Sequence, residues 1–238
     1  MPPTIVLVHG AFAESASWDR VIDRLPAEQR VIAAANPLRS LASDAASVSD
    51  LARTIDGPVL LVAHSYGGAV ISNVDSDAGE IAGLVYVNGF APEPDENCFG
   101  LAGMFPGSMV GKATVRPVSR SDGTTDLYIA PESFHDVFCA DVPGPQAALM
   151  ATTQRPATQE ALVEPSGDHP LWRDVPSWFL IGEEDRIIPA ALQRFEAERA
   201  GARRVLEIAG ASHAVAVSQA GAVAEMIVEA AAPLRAAA

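Results

Sequence analysis

Short apolar runs recur along the chain at Thr4–Val8, Val31–Ala35, Val59–Ala63, Ile81–Val87, Trp178–Ile181 and Val205–Ile208, several of them rich in Val and Ile. Continuous apolar runs of this length suit strands buried on both faces, as in a parallel sheet. Between them lie helical stretches near Ser17–Leu25, Ser43–Thr54, Tyr66–Val74, Ala190–Ala200 and Ser218–Ala231. Strand alternating with helix implies right-handed crossovers and helices on both faces. The pattern predicts an α/β fold with a doubly wound, mostly parallel sheet of six strands.

One stretch breaks the rhythm. Residues 91–175 hold no Val/Ile-rich strand pair comparable to the others and carry many of the prolines, Pro92, Pro106, Pro131 and Pro170 among them. A loop this long inside a compact domain is usually a lid or binding segment. Helical patches near Pro145–Thr153 and Thr158–Val163 suggest a partly helical cap inserted after the fourth strand. The Ala-rich tail, Ala230–Ala238, is expected to fray.

Composition narrows the class. With 238 residues, one domain is expected, spanning the chain with the cap inside it. Hydrophobic residues make up 49%, charged residues 19%, and mean hydropathy is +0.17, too apolar for a disordered chain. No uninterrupted apolar run reaches the ~18 residues of a membrane span. Net charge is −14, with 16 basic residues of which one, Lys112, is lysine. Nucleic acid and anionic membrane surfaces are therefore poor partners. Cys98 and Cys139 have neither disulfide-framework nor metal spacing and read as two reduced, partly buried thiols. The first residues, MPPTIVLVHG, show no basic leader or cleavage site and read as a strand, so a cytoplasmic protein is expected.

The chemistry concentrates in VLLVAHSYGG, residues 59–68. A buried strand runs into Ser65 and then into a helix. Such an elbow sets the hydroxyl on a sharp, strained turn at the carboxyl end of the sheet, with the helix N-terminus favouring negative charge. Small residues are needed two before and two after the Ser; Gly67 meets this, and Ala63 stands where Gly is usual. The alternative is a buried Ser in a tight strand-to-helix turn. A Ser hydroxyl needs a base. Of five histidines, His213 lies in GASHA after the last strand, at the sheet's carboxyl edge where ligands bind in open α/β folds. His9 reads as a turn-fixing group, His64 adjoins the Ser but points elsewhere, and His135 and His169 lie in the cap. In GEEDRIIP, residues 182–189, Asp185 is the expected orienting carboxylate, and Glu183 and Glu184 read as solvated charges. The N–H groups of Tyr66 and Ala11 are the candidate oxyanion donors, Gly10 letting that backbone approach closely.

On HGAF (residues 9–12), AHSYGG (63–68), GEEDRIIP and GASHA, the sequence resembles an α/β-hydrolase-fold serine hydrolase. It is closest to the small bacterial esterase-like members and the plant methylesterase and hydroxynitrile lyase branch. The chain order Ser65, Asp185, His213 is the one expected of that fold. The resemblance implies ester hydrolysis without cofactor or metal, and absence of the N-terminal antiparallel strands of larger members. A Ser nucleophile separates the chain from the dehalogenases and epoxide hydrolases, which use Asp. Ala214 stands where the hydroxynitrile lyases carry a lysine.

Phe12, Tyr66, Phe90, Tyr128 and Phe134 are the candidate substrate-binding residues, with Trp172 also considered and Trp18 expected to be core. The cap carries 12 acidic and 5 basic residues. A negative rim disfavours anionic substrates, so a neutral, fairly apolar carboxylic ester is the expected small-molecule substrate. Two alternatives stay open: the same fold acting as a lactonase, thioesterase, amidase, C–C hydrolase or lyase, and a non-catalytic small-molecule receptor. The chain is expected to be a monomer or homodimer.

Overall fold

The computed structural model describes residues 2–111 and 114–236; Lys112 lies outside them. The strands are β1 (Thr4–Val8), β2 (Val31–Ala34), β3 (Pro58–Ser65), β4 (Glu80–Gly89), β5 (Val115–Ser119), β6 (Thr125–Ile129), β7 (Ala157–Thr158), β8 (Ser177–Gly182) and β9 (Arg204–Ile208). The helices are α1 (Asp19–Ile22), α2 (Leu41–Arg53), α3 (Tyr66–Ser72), α4 (Cys98–Ala102), α5 (Pro131–Phe138), α6 (Gly144–Thr153), α7 (Gln159–Val163), α8 (Ala190–Arg199), α9 (Val215–Ser218) and α10 (Ala220–Ala231). Six strands form one parallel sheet in the order β2-β1-β3-β4-β8-β9.

Side chains alternate across a pleated strand, so a sheet covered on both faces needs apolar residues at successive positions. Ile5, Leu7, Leu60, Val62, Val85, Val87, Trp178 and Leu180 join one buried cluster with Trp18, Val21 of α1, and Val223 and Ile227 of α10. The alternate residues Val6, Val8, Leu61, Ala63, Leu84, Tyr86, Phe179 and Ile181 join the other, with Leu41 and Val48 of α2, Val70 of α3 and Leu192 of α8. Each aliphatic side chain so buried contributes about 1.5–3 kcal/mol. This is why the central strands read as unbroken apolar runs. The chain order reverses between β1 and β3, so the carboxyl ends of these two strands flank the crevice where open α/β sheets bind ligands.

The segment between β4 and β8 lacks Val/Ile-rich strands like those of the main sheet, as expected, but it holds more than the two expected helices: β5, β6 and β7 form a separate antiparallel sheet, and α4 and α5 are additional. The edge strand β5 reads VRPVS and is largely exposed, so it lacks the apolar run that marks a doubly buried strand. Gly123, at φ +89°, closes the β5–β6 hairpin. Ala230 and Ala231 are buried at the end of α10, a 3₁₀ turn follows to Ala236, and residues 237–238 lie outside the described residues.

Two clusters of charged groups are among the ties between cap and core. Buried Asp126 on β6 accepts 2.8 Å hydrogen bonds from Arg39 of the core and Arg120 of the cap. Burial opposes its charge, but the two guanidinium groups outweigh this and hold its carboxyl below the usual range. At the cap's root, Arg199 of α8 binds both carboxylate oxygens of Glu96 and the Ala91 carbonyl. The neighbouring Glu196 is fully buried and accepts the Ala91 N–H at 3.0 Å. Burial pushes the Glu196 carboxyl up to about 8.

The folded state therefore holds a proton on Glu196 that the unfolded chain releases near the ordinary carboxylate range. Its contribution to stability is complete at acid pH and is lost as pH rises toward about 8. Glu196→Gln keeps an acceptor for Ala91 and removes the titration. Denaturant melts from pH 5 to pH 8 should show the variant gaining stability relative to wild type as pH rises. A gap that stays constant or shrinks contradicts the assignment.

Candidate active site

Strand β3 ends at Ser65, the residue that caps the start of α3, and its backbone is held at φ 56° and ψ −128°. A non-glycine residue in this region is strained, and the surrounding packing must impose it. That packing is backbone against backbone. A Cβ on Gly10 would lie 2.5 Å from Ser65 Cβ and 2.8 Å from the His64 carbonyl oxygen. One on Gly67 would lie 2.6 Å from the Val8 oxygen, and one on Gly68 2.4 Å from the Phe90 oxygen. The glycines after Ser65 thus serve the contact of α3 with the ends of β1 and β4. Ala63, by contrast, is accommodated in β3.

His213 Nδ1 and Asp185 Oδ2 are 2.8 Å apart, and both side chains are fully buried. Asp185 is fixed by three further donors: the N–H groups of Ile187 and Ile188 at 2.8 and 2.9 Å, and Gln193 Nε2 at 3.1 Å. Glu183 and Glu184 are exposed. The opposite ring nitrogen, His213 Nε2, is buried with no hydrogen-bond partner among the described residues. Its ring lies between Phe138, 4.9 Å away edge-on, and His64, at 4.5 Å. Burial lowers the His64 pKa well below its ordinary value. Neutral His64 donates Nε2–H to the His213 carbonyl at 2.9 Å, so the residue preceding Ser65 holds the His213 loop beside the elbow.

Asn88 is a site residue that sequence reasoning missed. His64 pairs with Val87 and Ser65 with Gly89, leaving Asn88 as the extra residue of a β-bulge at φ 44°. Its amide donates to the carbonyls of Ser212 and His213 at 2.9 and 3.2 Å and accepts the Gly182 N–H at 2.6 Å. One side chain therefore aligns the loops after β8 and β9, which carry Asp185 and His213. Gly182 has no room for a Cβ, which would lie 2.7 Å from the Ala211 oxygen.

A pocket of about 30 Å³ opens beside Ser65, lined by Ala11, Phe12, Tyr66, Phe90 and the further apolar residues Cys98, Phe99, Ala102, Val110, Leu162 and Ile187. Three candidate binding residues, Phe12, Tyr66 and Phe90, are therefore present, and both candidate oxyanion residues adjoin Ser65. The Phe12 N–H is taken by the Arg155 carbonyl at 3.0 Å. The Tyr66 hydroxyl donates to buried Asp44 at 2.8 Å, and burial foremost pushes this phenol up. Phe134 and Tyr128 are not among the pocket's lining. Phe134 stacks on Phe138 at 4.9 Å inside the cap, and Tyr128 lies on β6, because aromatic type alone does not fix direction. Trp172 donates to the Pro92 carbonyl under Arg199 instead.

Of the remaining histidines, His9 and His135 hold structure, and His169 is exposed in the cap. His9 is pushed down to about 4 by burial; it bonds the Gly10 carbonyl at 2.9 Å and accepts the Asn36 N–H at 3.1 Å, which fixes the turn after β1. His135 bonds the Val142 carbonyl at 2.9 Å within the cap. Cys98 and Cys139 are buried and unpaired, and burial raises both thiols.

Replacing Asn88 by Ala strands the Gly182 N–H and frees two loop carbonyls. An unsatisfied buried group costs about 1–3 kcal/mol. Chemical denaturation should register a loss of that order for Asn88→Ala, whereas a change within experimental error refutes the alignment role.

Comparison with known proteins agrees with the fold. A family model described as "Alpha/beta hydrolase family" matches residues 5–226. A pyrethroid hydrolase from Sphingobium wenxiniae is 27% identical over 209 residues, 80% of this chain and 74% of that protein. Polyneuridine aldehyde esterase superposes with a TM-score of 0.77 at 18% identity, over 96% of this chain and 99% of the other. A variant of tomato methylketone synthase I, complexed with beta-ketoheptanoate, gives 0.80 at 18% identity, over 98% and 99%. No described helix is long and apolar enough to cross a membrane. The chain belongs to the alpha/beta hydrolase family.

Proposed function

We propose that this chain is a serine hydrolase that cleaves neutral, fairly apolar carboxylic esters through an acyl-enzyme on Ser65. The observation that carries the reading is the buried His213–Asp185 pair at 2.8 Å, with His213 Nε2 left without a protein partner beside a strained Ser elbow. Asp185 accepts from His213 Nδ1 and so holds the imidazole with Nε2 as the basic nitrogen. Ser65 Oγ attacks the ester carbonyl carbon while its proton passes to His213 Nε2. The carbonyl oxygen gathers negative charge at the N–H groups of Tyr66 and Ala11, aided by the amino end of α3. The carbon–oxygen bond to the alcohol then breaks, and His213 returns the proton to the leaving alkoxide. Water, deprotonated by the same nitrogen, hydrolyses the acyl-enzyme and restores Ser65.

Substrate class rests on the surroundings. The pocket beside Ser65 is apolar, the cap carries excess negative charge, and Glu183 and Glu184 add exposed negative charge next to Asp185. The relative whose name is pyrethroid hydrolase supports hydrolysis as the reaction class. The proposed substrate class rests on the apolar pocket and the surrounding charge, not on that name.

Hydrolysis of 4-nitrophenyl acetate by purified variants tests the reading. Removing the orienting carboxylate of a well-studied triad enzyme lowers the rate about 10⁴-fold. Asp185→Asn should fall by a comparable factor, and Ser65→Ala and His213→Ala should lose nearly all turnover. Glu183→Gln and Glu184→Gln should keep close to wild-type rates. Near-normal turnover in Ser65→Ala, or a larger loss at Glu183 or Glu184 than at Asp185, contradicts the assignment.

A further inference from the structure

Two cavities meet at Phe12. One is the pocket of about 30 Å³ that holds Ser65, Ala11 and Tyr66. The other is a chamber of about 270 Å³ on the far side of Phe12, bounded by His64, Phe138 and Ala214, and by Leu149 and Met150 of α6. Phe12 lines both. Its ring is buried, its backbone sits at φ 61°, and its N–H is anchored to the Arg155 carbonyl at 3.0 Å, so it stands as a fixed partition.

The chemistry says which half of an ester belongs on each side, given the serine-hydrolase reading on which this rests. The oxyanion donors Ala11 and Tyr66 belong to the small pocket, so the acyl substituent of a carbonyl seated on them lies there. The leaving oxygen must receive its proton from His213 Nε2. The rings that flank His213, His64 at 4.5 Å and Phe138 at 4.9 Å, are both walls of the large chamber. We infer that Phe12 divides the site into a short-acyl pocket and a roomy alcohol chamber, so that the chain prefers short-chain acids esterified to bulky, apolar, uncharged alcohols.

The chamber's surface fits that occupant. Ala13, Ala216 and Val217 supply further apolar wall. Its one arginine, Arg20, is already engaged by Gln146 at 2.8 Å and by the Val217 carbonyl, while Glu14 and Asp19 contribute negative charge at the edge. An anionic alcohol meets repulsion there, and a neutral one does not.

A pair of isomers that reverses the ester bond provides the test: 2-phenylethyl acetate and methyl 3-phenylpropanoate. A single methylene in a hydrophobic pocket changes kcat/KM by about 10–200-fold, so the acetate should be favoured at least about tenfold. Met150→Trp, which fills the chamber, should shrink that ratio, and Leu162→Ala, which enlarges the small pocket, should shrink it by raising the rate on the methyl ester. Equal rates, a preference for methyl 3-phenylpropanoate, or no turnover of either isomer overturns the partition. If Ser65→Ala still turns over both isomers, the serine-hydrolase reading itself fails and takes the partition with it. If wild type cleaves both equally and Ser65→Ala cleaves neither, the partition alone is wrong.

Discussion

The arrangement depends on how closely three strand ends approach one another. Where β1, β3 and β4 finish, backbone carbonyls of Val8, His64 and Phe90 occupy the space in which side chains on Gly10, Gly67 and Gly68 would otherwise sit. Close packing of rigid backbone leaves Ser65 no relaxed alternative, so the chain accepts φ 56° at a non-glycine residue. The same crowding sets the Gly10 backbone against the Ser65 side chain. The strained turn at Ser65, the close approach of Gly10 and the seating of α3 thus follow from one steric constraint rather than from three separate features.

The loops bearing Asp185 and His213 need a different device, since they leave strands two and three places removed from β3. The bulge at Asn88 supplies it: the extra residue turns an amide toward both loops and satisfies three backbone groups. Asp185 is then immobilised by two N–H groups and Gln193, so the His213 ring has a defined orientation before substrate arrives. If the pair acts as proposed, preorganisation of this kind places the energetic burden on folding instead of on the reaction. The cap is secured by charge at its root and along β6, with Glu196 neutral and Asp126 ionised because one faces burial without a close guanidinium contact and the other lies between two.

The sequence disclosed most clearly what local chemistry dictates. The bounds of β1 coincide with its apolar run, and the strands of the central sheet lie on the runs expected, because double-sided burial demands consecutive apolar residues. Ser65, Asp185 and His213 stand at strand ends with telling neighbours: a Gly-Gly pair, an acidic loop before Ile-Ile-Pro, and a short Gly-Ala-Ser turn. Asn88 and Gln193 escaped notice because a lone amide in a strand or helix carries no local signature; its partners are set by the fold, 94 to 125 residues away for Asn88. The hairpin of β5 and β6 escaped because an exposed, proline-bearing edge strand shows no apolar run. Tyr128 and Phe134 illustrate the same limit in the cap, where composition suggested a pocket lining and packing assigned other neighbours.

The central claim is that Ser65 is the nucleophile activated by His213. Its most direct measurement is peptide mass mapping after reaction with a fluorophosphonate, which forms a stable bond only with an activated serine. The account predicts one adduct, on the peptide carrying Ser65, lost when His213 is replaced by Ala. An adduct on a different residue, or none while esters are still hydrolysed, would contradict it.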